Sequence, residues 1–190
     1  MKAVIFNGAR DADPVIAAIE SSLIKLLTRE GWEVDVVALR EKQIAGCLGC
    51  FGCWVKTPGI CVIDDYGREI TRKIVHSELM IWLTPVTFGG YSSELKKALD
   101  RSIPILLPYF ESYNGQVHHK MRYETHPKLI VIGTEPLHAE YEETFLALTG
   151  RNALNVRPPK HAAGVFRKNE DLGKTLPFVE DLLRKVEVTS

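Results

Sequence analysis

Ala3-Val4-Ile5-Phe6-Asn7-Gly8-Ala9-Arg10-Asp11-Ala12-Asp13-Pro14-Val15-Ile16 opens the chain's first structural unit, and the change of apolar period inside it decides the fold. Ala3 to Phe6 is an unbroken apolar run stopped by Asn7-Gly8, the pattern of a strand covered on both faces. A helix follows. Val15, Ile19, Leu23, Leu26 and Leu27 recur at helical spacing, with Asp13 placed to cap the start, Pro14 in the first turn and Gly31 at the end.

The same alternation repeats outward from this unit. Glu33 to Leu39 reads as a second strand, Asp65 caps a helix carrying Tyr66, Ile70 and Ile74, and Leu79 to Leu83 is a buried third strand. Leu95, Leu99, Ile103 and Leu106 predict a helix behind Ser92, with Pro104 marking a kink or an early end. Leu129 to Ile132 is the fourth strand, Tyr141, Phe145 and Leu148 mark the next helix, and Ala162 to Phe166 is the fifth strand. Pro177 opens a last helix through Val179, Leu183 and Val186. Such alternation predicts an α/β fold: a flavodoxin-like three-layer sandwich around a five-stranded parallel sheet in the order 2-1-3-4-5. Residues 1–190 read as one domain, with a cysteine-rich loop at 46–64 and an insertion at about 108–127. Ligands of such sheets sit beyond the C-terminal strand ends, where the strand order reverses. Four loops therefore matter: 7–13, 40–64, 84–91 and 133–138.

Composition narrows the function classes. The chain is 45% apolar and 25% charged, enough to build a core without disulfide staples, which excludes disordered and collagen-like chains. Its 24 basic residues balance 24 acidic ones. With no basic stripe, nucleic-acid binding is not expected. The apolar start is too short for a signal peptide or a membrane span, so a cytoplasmic protein is expected. In a reducing compartment, cysteines serve as metal, cluster or redox ligands more often than as disulfides.

Cys47, Cys50, Cys53 and Cys61 form C-x2-C-x2-C-x7-C inside one loop. Three thiolates at three-residue intervals can wrap the corners of a small iron–sulfur cube, and the fourth can close it. Gly46, Gly49, Gly52 and Gly59 allow the backbone to fold tightly, leaving amides free to bond sulfur. Other readings stay open: zinc, whose structural sites usually pair two knuckles across a long gap; a dithiol redox pair; or free thiols packed beside Phe51 and Trp54.

The stretch Gly46-Cys47-Leu48-Gly49-Cys50-Phe51-Gly52-Cys53-Trp54-Val55-Lys56-Thr57-Pro58-Gly59-Ile60-Cys61-Val62-Ile63-Asp64-Asp65 resembles the signature of iron–sulfur flavoproteins and the related NAD(P)H-dependent FMN reductases. Thr84-Pro85-Val86-Thr87-Phe88-Gly89-Gly90-Tyr91-Ser92, followed by Leu95-Lys96 and Leu99-Asp100-Arg101, is similar to that family's flavin loop and following helix. The resemblance implies noncovalent FMN, NAD(P)H as co-substrate and a homodimer or homotetramer. Electrons would pass to a small acceptor or a ferredoxin-like partner. A [4Fe–4S] cluster on Cys47, Cys50, Cys53 and Cys61 is the iron–sulfur variant. By position, Thr84, Pro85, Val86, Thr87, Phe88, Gly89 and Gly90 would hold the isoalloxazine ring, with Thr134 and Glu135 at its far edge and Asn7, Gly8, Ala9 and Arg10 at the phosphate. No catalytic side chain is assigned, because water or a backbone amide can service the flavin nitrogen.

One departure stands against full phosphate binding. The first loop carries no hydroxyl, Asp11 and Asp13 face the phosphate position, and an Asp13 cap competes for the same helix N–H groups. A chain that had given up its cofactor would be a redox-sensing or partner-binding module instead of an enzyme. In the insertion, whose length fits a lid or an oligomer contact, His118 and His119 read as a polar surface or interface pair. Trp82 reads as core, Trp54 as packing or a shield over the cysteines, and His138 as a neighbour of the flavin edge.

Overall fold

The computed structural model describes residues 1–134 and 138–189. Strands β1 (Lys2–Asn7), β2 (Glu33–Ala38), β3 (Leu79–Pro85), β6 (Lys128–Thr134) and β7 (His161–Phe166) form one sheet in the order β2-β1-β3-β6-β7, with β4 (Leu106–Tyr113) and β5 (Gln116–Met121) in a separate hairpin. Every pair in the large sheet is parallel. With the hairpin set aside, this is the expected 2-1-3-4-5 order.

Alternation along the strands builds the two outer layers. Ile5, Ile81, Leu83 and Ile132 turn to the side covered by α1 (Pro14–Arg29) and α6 (Thr175–Lys185). Phe6, Met80, Trp82 and Val131 turn to the side covered by α3 (Tyr66–Val75), α4 (Ser93–Asp100) and α5 (Ala139–Val156). A short α2 (Gly52–Val55) lies within the cysteine loop. Both faces of the central strands are thus sealed by apolar burial, and their C-terminal ends remain for ligands. Among the described residues, no helix is long and apolar enough to cross a membrane.

Two expectations need correction. The helix behind Ser92 stops at Asp100; Ile103–Ile105 form a 3-10 turn around Pro104, and Leu106 already belongs to β4. Proline's missing N–H ends the α-helix early, as its position allowed. The last helix starts at Thr175, two residues before Pro177, because a first turn needs no N–H from its third residue either. The insertion is an antiparallel hairpin whose two-residue turn is Asn114-Gly115, both at positive φ (50° and 74°). Asn-Gly is the strongest short hairpin signal a sequence offers, and it was there to be read.

Candidate functional site

The ends of β1 and β3 are knitted together by one serine. Ser92 caps α4, accepting from the Leu95 N–H at 3.2 Å, while its own hydroxyl donates to the Gly8 carbonyl at 2.6 Å. Its N–H donates to Thr84 Oγ1 at 3.0 Å, and Gly8 N–H donates to the Leu83 carbonyl. Gly8 is obligatory here, since a Cβ would lie 2.8 Å from Ser92 Oγ and 2.9 Å from Leu95 Cβ. Thr84 is fully buried and its hydroxyl is spent on Ser92 and the Pro85 carbonyl. Val86 N–H donates to the Thr134 carbonyl, tying β3 to the end of β6.

Beyond that seam Thr87 to Gly90 make a tight turn. Thr87 and Gly90 exchange two backbone hydrogen bonds of 2.9 Å around Phe88 and Gly89. Both central residues have positive φ, 49° and 75°, as a type I′ turn requires. Among the described residues nothing takes the N–H groups of Phe88 and Gly89. Phe88 stands at the tip, 86% exposed, while Pro85 and Val86 are half-buried. Thr134 is buried at the end of β6 with no partner for Oγ1 among the described residues. Glu135 lies outside the described residues.

The first loop is largely committed to itself. Asn7 donates through its amide nitrogen to Glu20 and accepts from the Ala9 N–H, which fixes the orientation of its amide. Ala9 is buried and Arg10 is exposed. Asp13 caps α1, accepting from the Val15 N–H at 2.8 Å and the Ile16 N–H at 3.1 Å. The carboxylate therefore occupies the donors that a phosphate would use at a helix start.

The four cysteines line one small chamber of about 20 Å³ with Arg101, Ile103 and Pro104. Cys53 is buried, Cys61 half-buried, and Cys47 and Cys50 face solvent, all as free thiols. Burial pushes the Cys53 thiol up, and the charges of Cys61, Cys47 and Cys50 push it further. The loop reaches this shape through left-handed Gly49 and Phe51 (φ 63° and 53°), and Gly52 passes so near Val62 that a Cβ would sit 2.5 Å from it. No three His, Cys, Asp or Glu side chains among the described residues are grouped to hold a single metal ion.

Arg101 closes the chamber's inner wall, and its side chain is fully buried. It donates to both oxygens of Asp65, 2.7 and 2.9 Å, and to the carbonyls of Ala45 and Ile63. Burial would raise the Asp65 carboxyl, but hydrogen bonds from Arg101 and from the Ala45 and Gly67 N–H groups outweigh it and hold Asp65 below its ordinary value. Asp65 caps α3 as expected; its second task was not legible. Trp54 packs instead of covering the thiols, stacked on Phe51 at 5.1 Å and against His119 at 4.9 Å, with its indole N–H on the Leu106 carbonyl. His118 meets Asn155 on α5 and His119 sits between Trp54 and Phe110. The two histidines do point apart, yet they serve to seat the hairpin on its own chain. A groove of about 670 Å³ runs between α4 and α5, from Gly90 and Tyr91 at one end to Cys47 and Gly49 at the other, with Trp82 on its floor.

Residues 1–121 match the NADPH-dependent FMN reductase family. The chain belongs to that family. The match takes in β1, β3, the cysteine loop, the Thr87–Gly90 turn and the hairpin, and stops before Thr134. An iron–sulfur flavoprotein of Methanocaldococcus jannaschii is 30% identical over 109 residues, covering 57% of this chain and 55% of that protein. Another, from Methanosarcina thermophila, is 32% identical over 85 residues, 45% and 44% of the two chains. The chain spans about half the length of the curated relatives it matches. Among solved structures, the NAD(P)H:quinone oxidoreductase of Methanothermobacter marburgensis superposes with a TM-score of 0.69 at 12% identity, covering 98% and 99% of the chains. At that identity the likeness speaks for the fold.

The FMN reductase family names FMN and NADPH, and the residues here fit a flavin by two observations. Unused main-chain donors at Phe88 and Gly89 match ring acceptors, and the orphaned Thr134 hydroxyl adds a donor across the sheet end. The cysteine chamber fits a thiolate-bound iron–sulfur group by the chemistry of its donors: four thiols and one buried cation. Its enclosed volume admits no more than a water-sized body, so such a group would be held on the open side, where Cys47 and Cys50 stand.

Proposed function

We propose that this chain is an FMN-dependent oxidoreductase that moves electrons from NAD(P)H to a small acceptor or a redox partner. The observation that carries the reading is the turn at Thr87–Gly90, with two unused amides at the mouth of a flavodoxin-like sheet, in a chain of this family. FMN, when bound, supplies hydride acceptance and its onward release as electrons. The protein's part is positional. Ser92 fixes the spacing between the phosphate loop and the ring loop, Gly89 and Phe88 present their N–H groups, and Thr134 presents its hydroxyl. Arg10 is the cation available to a phosphate, against Asp11 and Asp13. The groove between Gly90 and Cys47 has the size and apolar lining of a small-molecule site, and it is where the acceptor would approach.

A second reading has its own support. The convergence of four free thiols and a buried arginine on one chamber favours a [4Fe–4S] group, making the chain an iron–sulfur flavoprotein electron carrier. Partners on that reading include a ferredoxin-like protein, and a homodimer or homotetramer is the proposed assembly. Visible spectra after anaerobic reconstitution with FMN, then with ferrous iron and sulfide, test both. Two resolved flavin bands bleached by NADPH support the reductase, and a broad brown shoulder supports the cluster. Cys50→Ala should abolish the shoulder and leave the flavin bands; loss of both would show that the sites are not separate. A protein that takes up neither group would be the non-enzymatic module.

A further inference from the structure

Among the described residues, Arg101 is the one charged residue counted as buried, and the way the chain accommodates it goes beyond a structural ion pair. The cysteine loop leaves the sheet layer near Ala45 and returns at Asp65, and Arg101 holds both ends. Its Nη1 donates to the Ala45 carbonyl and to Asp65, its Nη2 to the Ile63 carbonyl and to Asp65, and Asp65 in turn accepts from the Ala45 N–H at 2.8 Å. A slot is left for the guanidinium at Gly67, where a Cβ would lie 2.8 Å from Cζ and Nη2. One donor, Nε–H, has no partner although it is buried, and the side chain forms part of the wall shared with all four cysteines.

Buried guanidinium groups normally satisfy every N–H, and a leftover one is costly. Set in a wall shared with four thiols, the fixed guanidinium charge complements the thiolates of an anionic group bound at the chamber's open side. We propose that Arg101 is a positioning residue with two tasks: it clasps the cysteine loop shut, and it supplies the fixed positive charge against which a thiolate-bound iron–sulfur group is held. The first task stands by itself; the second rests on the iron–sulfur reading above. A fixed cation beside such a group favours its more negative, reduced form, so the clasp also sets the reduction potential. Asp65 carries the opposite sign and must act in the opposite direction.

The test uses the full chain as wild type, Arg101→Met, Arg101→Lys and Asp65→Asn. Deuterium exchange over residues 46–64 is followed without metal. Each protein is then reconstituted with ferrous iron and sulfide, and its midpoint potential is read in a dithionite titration. Arg101→Met should speed exchange over 46–64 at least tenfold and leave 84–92 unchanged. It should also shift the one-electron equilibrium at least tenfold toward the oxidised form, which is 59 mV. Asp65→Asn should loosen the loop but shift the potential upward, and Arg101→Lys should loosen the loop and move the potential less than Arg101→Met. Unchanged exchange in both Arg101→Met and Asp65→Asn overturns the clasp. Shifts of the same sign in those two variants, or none, overturn the charge role. If Arg101→Met does not fold, Asp65→Asn and Arg101→Lys decide both questions. Wild type that takes up no iron ends the iron–sulfur reading and the charge role with it, while exchange still decides the clasp.

Discussion

The Thr87–Gly90 corner, where we place the flavin, and the cysteine loop lie at the same end of one sheet, yet they are held by different means. The corner is made of strand ends: Gly8 follows β1, Thr84 is the penultimate residue of β3 and Thr134 the last of β6, and short hydrogen bonds through Ser92 and Val86 lock them to one another. Its shape follows from sheet register. The cysteine loop is an excursion that the sheet does not support, and one buried side chain, Arg101, gathers its two ends. A site that inherits its shape from the sheet has many small supports. A site built on a loop concentrates its support in a few.

If this contrast is right, single substitutions should damage the two regions unequally. The largest effect is expected from Arg101→Met, which removes the buried partner of the Asp65 carboxylate and should cost about 3–5 kcal/mol in urea denaturation. A cost near zero would erase the contrast. Gly8→Ala comes next: the new Cβ must push Ser92 and Leu95 apart, costing about 1–3 kcal/mol. It should weaken FMN binding, read by fluorescence titration, without altering exchange over 46–64. Coupling between the two regions in that experiment would show that they are one unit.

Acid should separate them further. Asp65 has a folded-state pKa below its unfolded value, so its contribution to stability is fully present above the unfolded value, about 3.9. It is lost as pH falls through the depressed folded value. Denaturation curves of Asp65→Asn should therefore lose part of the pH dependence that wild type shows below about pH 4; identical curves would refute the assignment. The smallest effect belongs to Asp13→Ser. Serine keeps a cap and removes a charge from the helix start, which is worth about 0.3–1 kcal/mol to an incoming phosphate. FMN should bind about two- to fivefold more tightly, and unchanged affinity would remove the repulsion argument.

Much of that corner's backbone geometry was legible because it is local. Asp13, Pro14 and Ser92 announce helix starts, apolar runs announce strands, and Phe88-Gly89-Gly90 announces a turn. The committed amide of Asn7 was not legible, because Glu20 comes from the next element. The hairpin was missed despite Asn114-Gly115, since its flanking residues mix polar and apolar types and only half of them are covered. His118 and His119 were read as a polar surface or interface pair, because their partners, Asn155 and Trp54, lie 37 and 65 residues away.

By itself the chain's order of residues determined the alternation of strands and helices and the gathering of four cysteines in one loop, because both depend on periodicity or spacing along the backbone. Tertiary structure alone decided that Arg101 faces those cysteines and that Ser92 joins two loops. Both depend on which helix packs over which strand end, and a hydrogen bond across 56 or 84 residues leaves no periodic trace in the sequence.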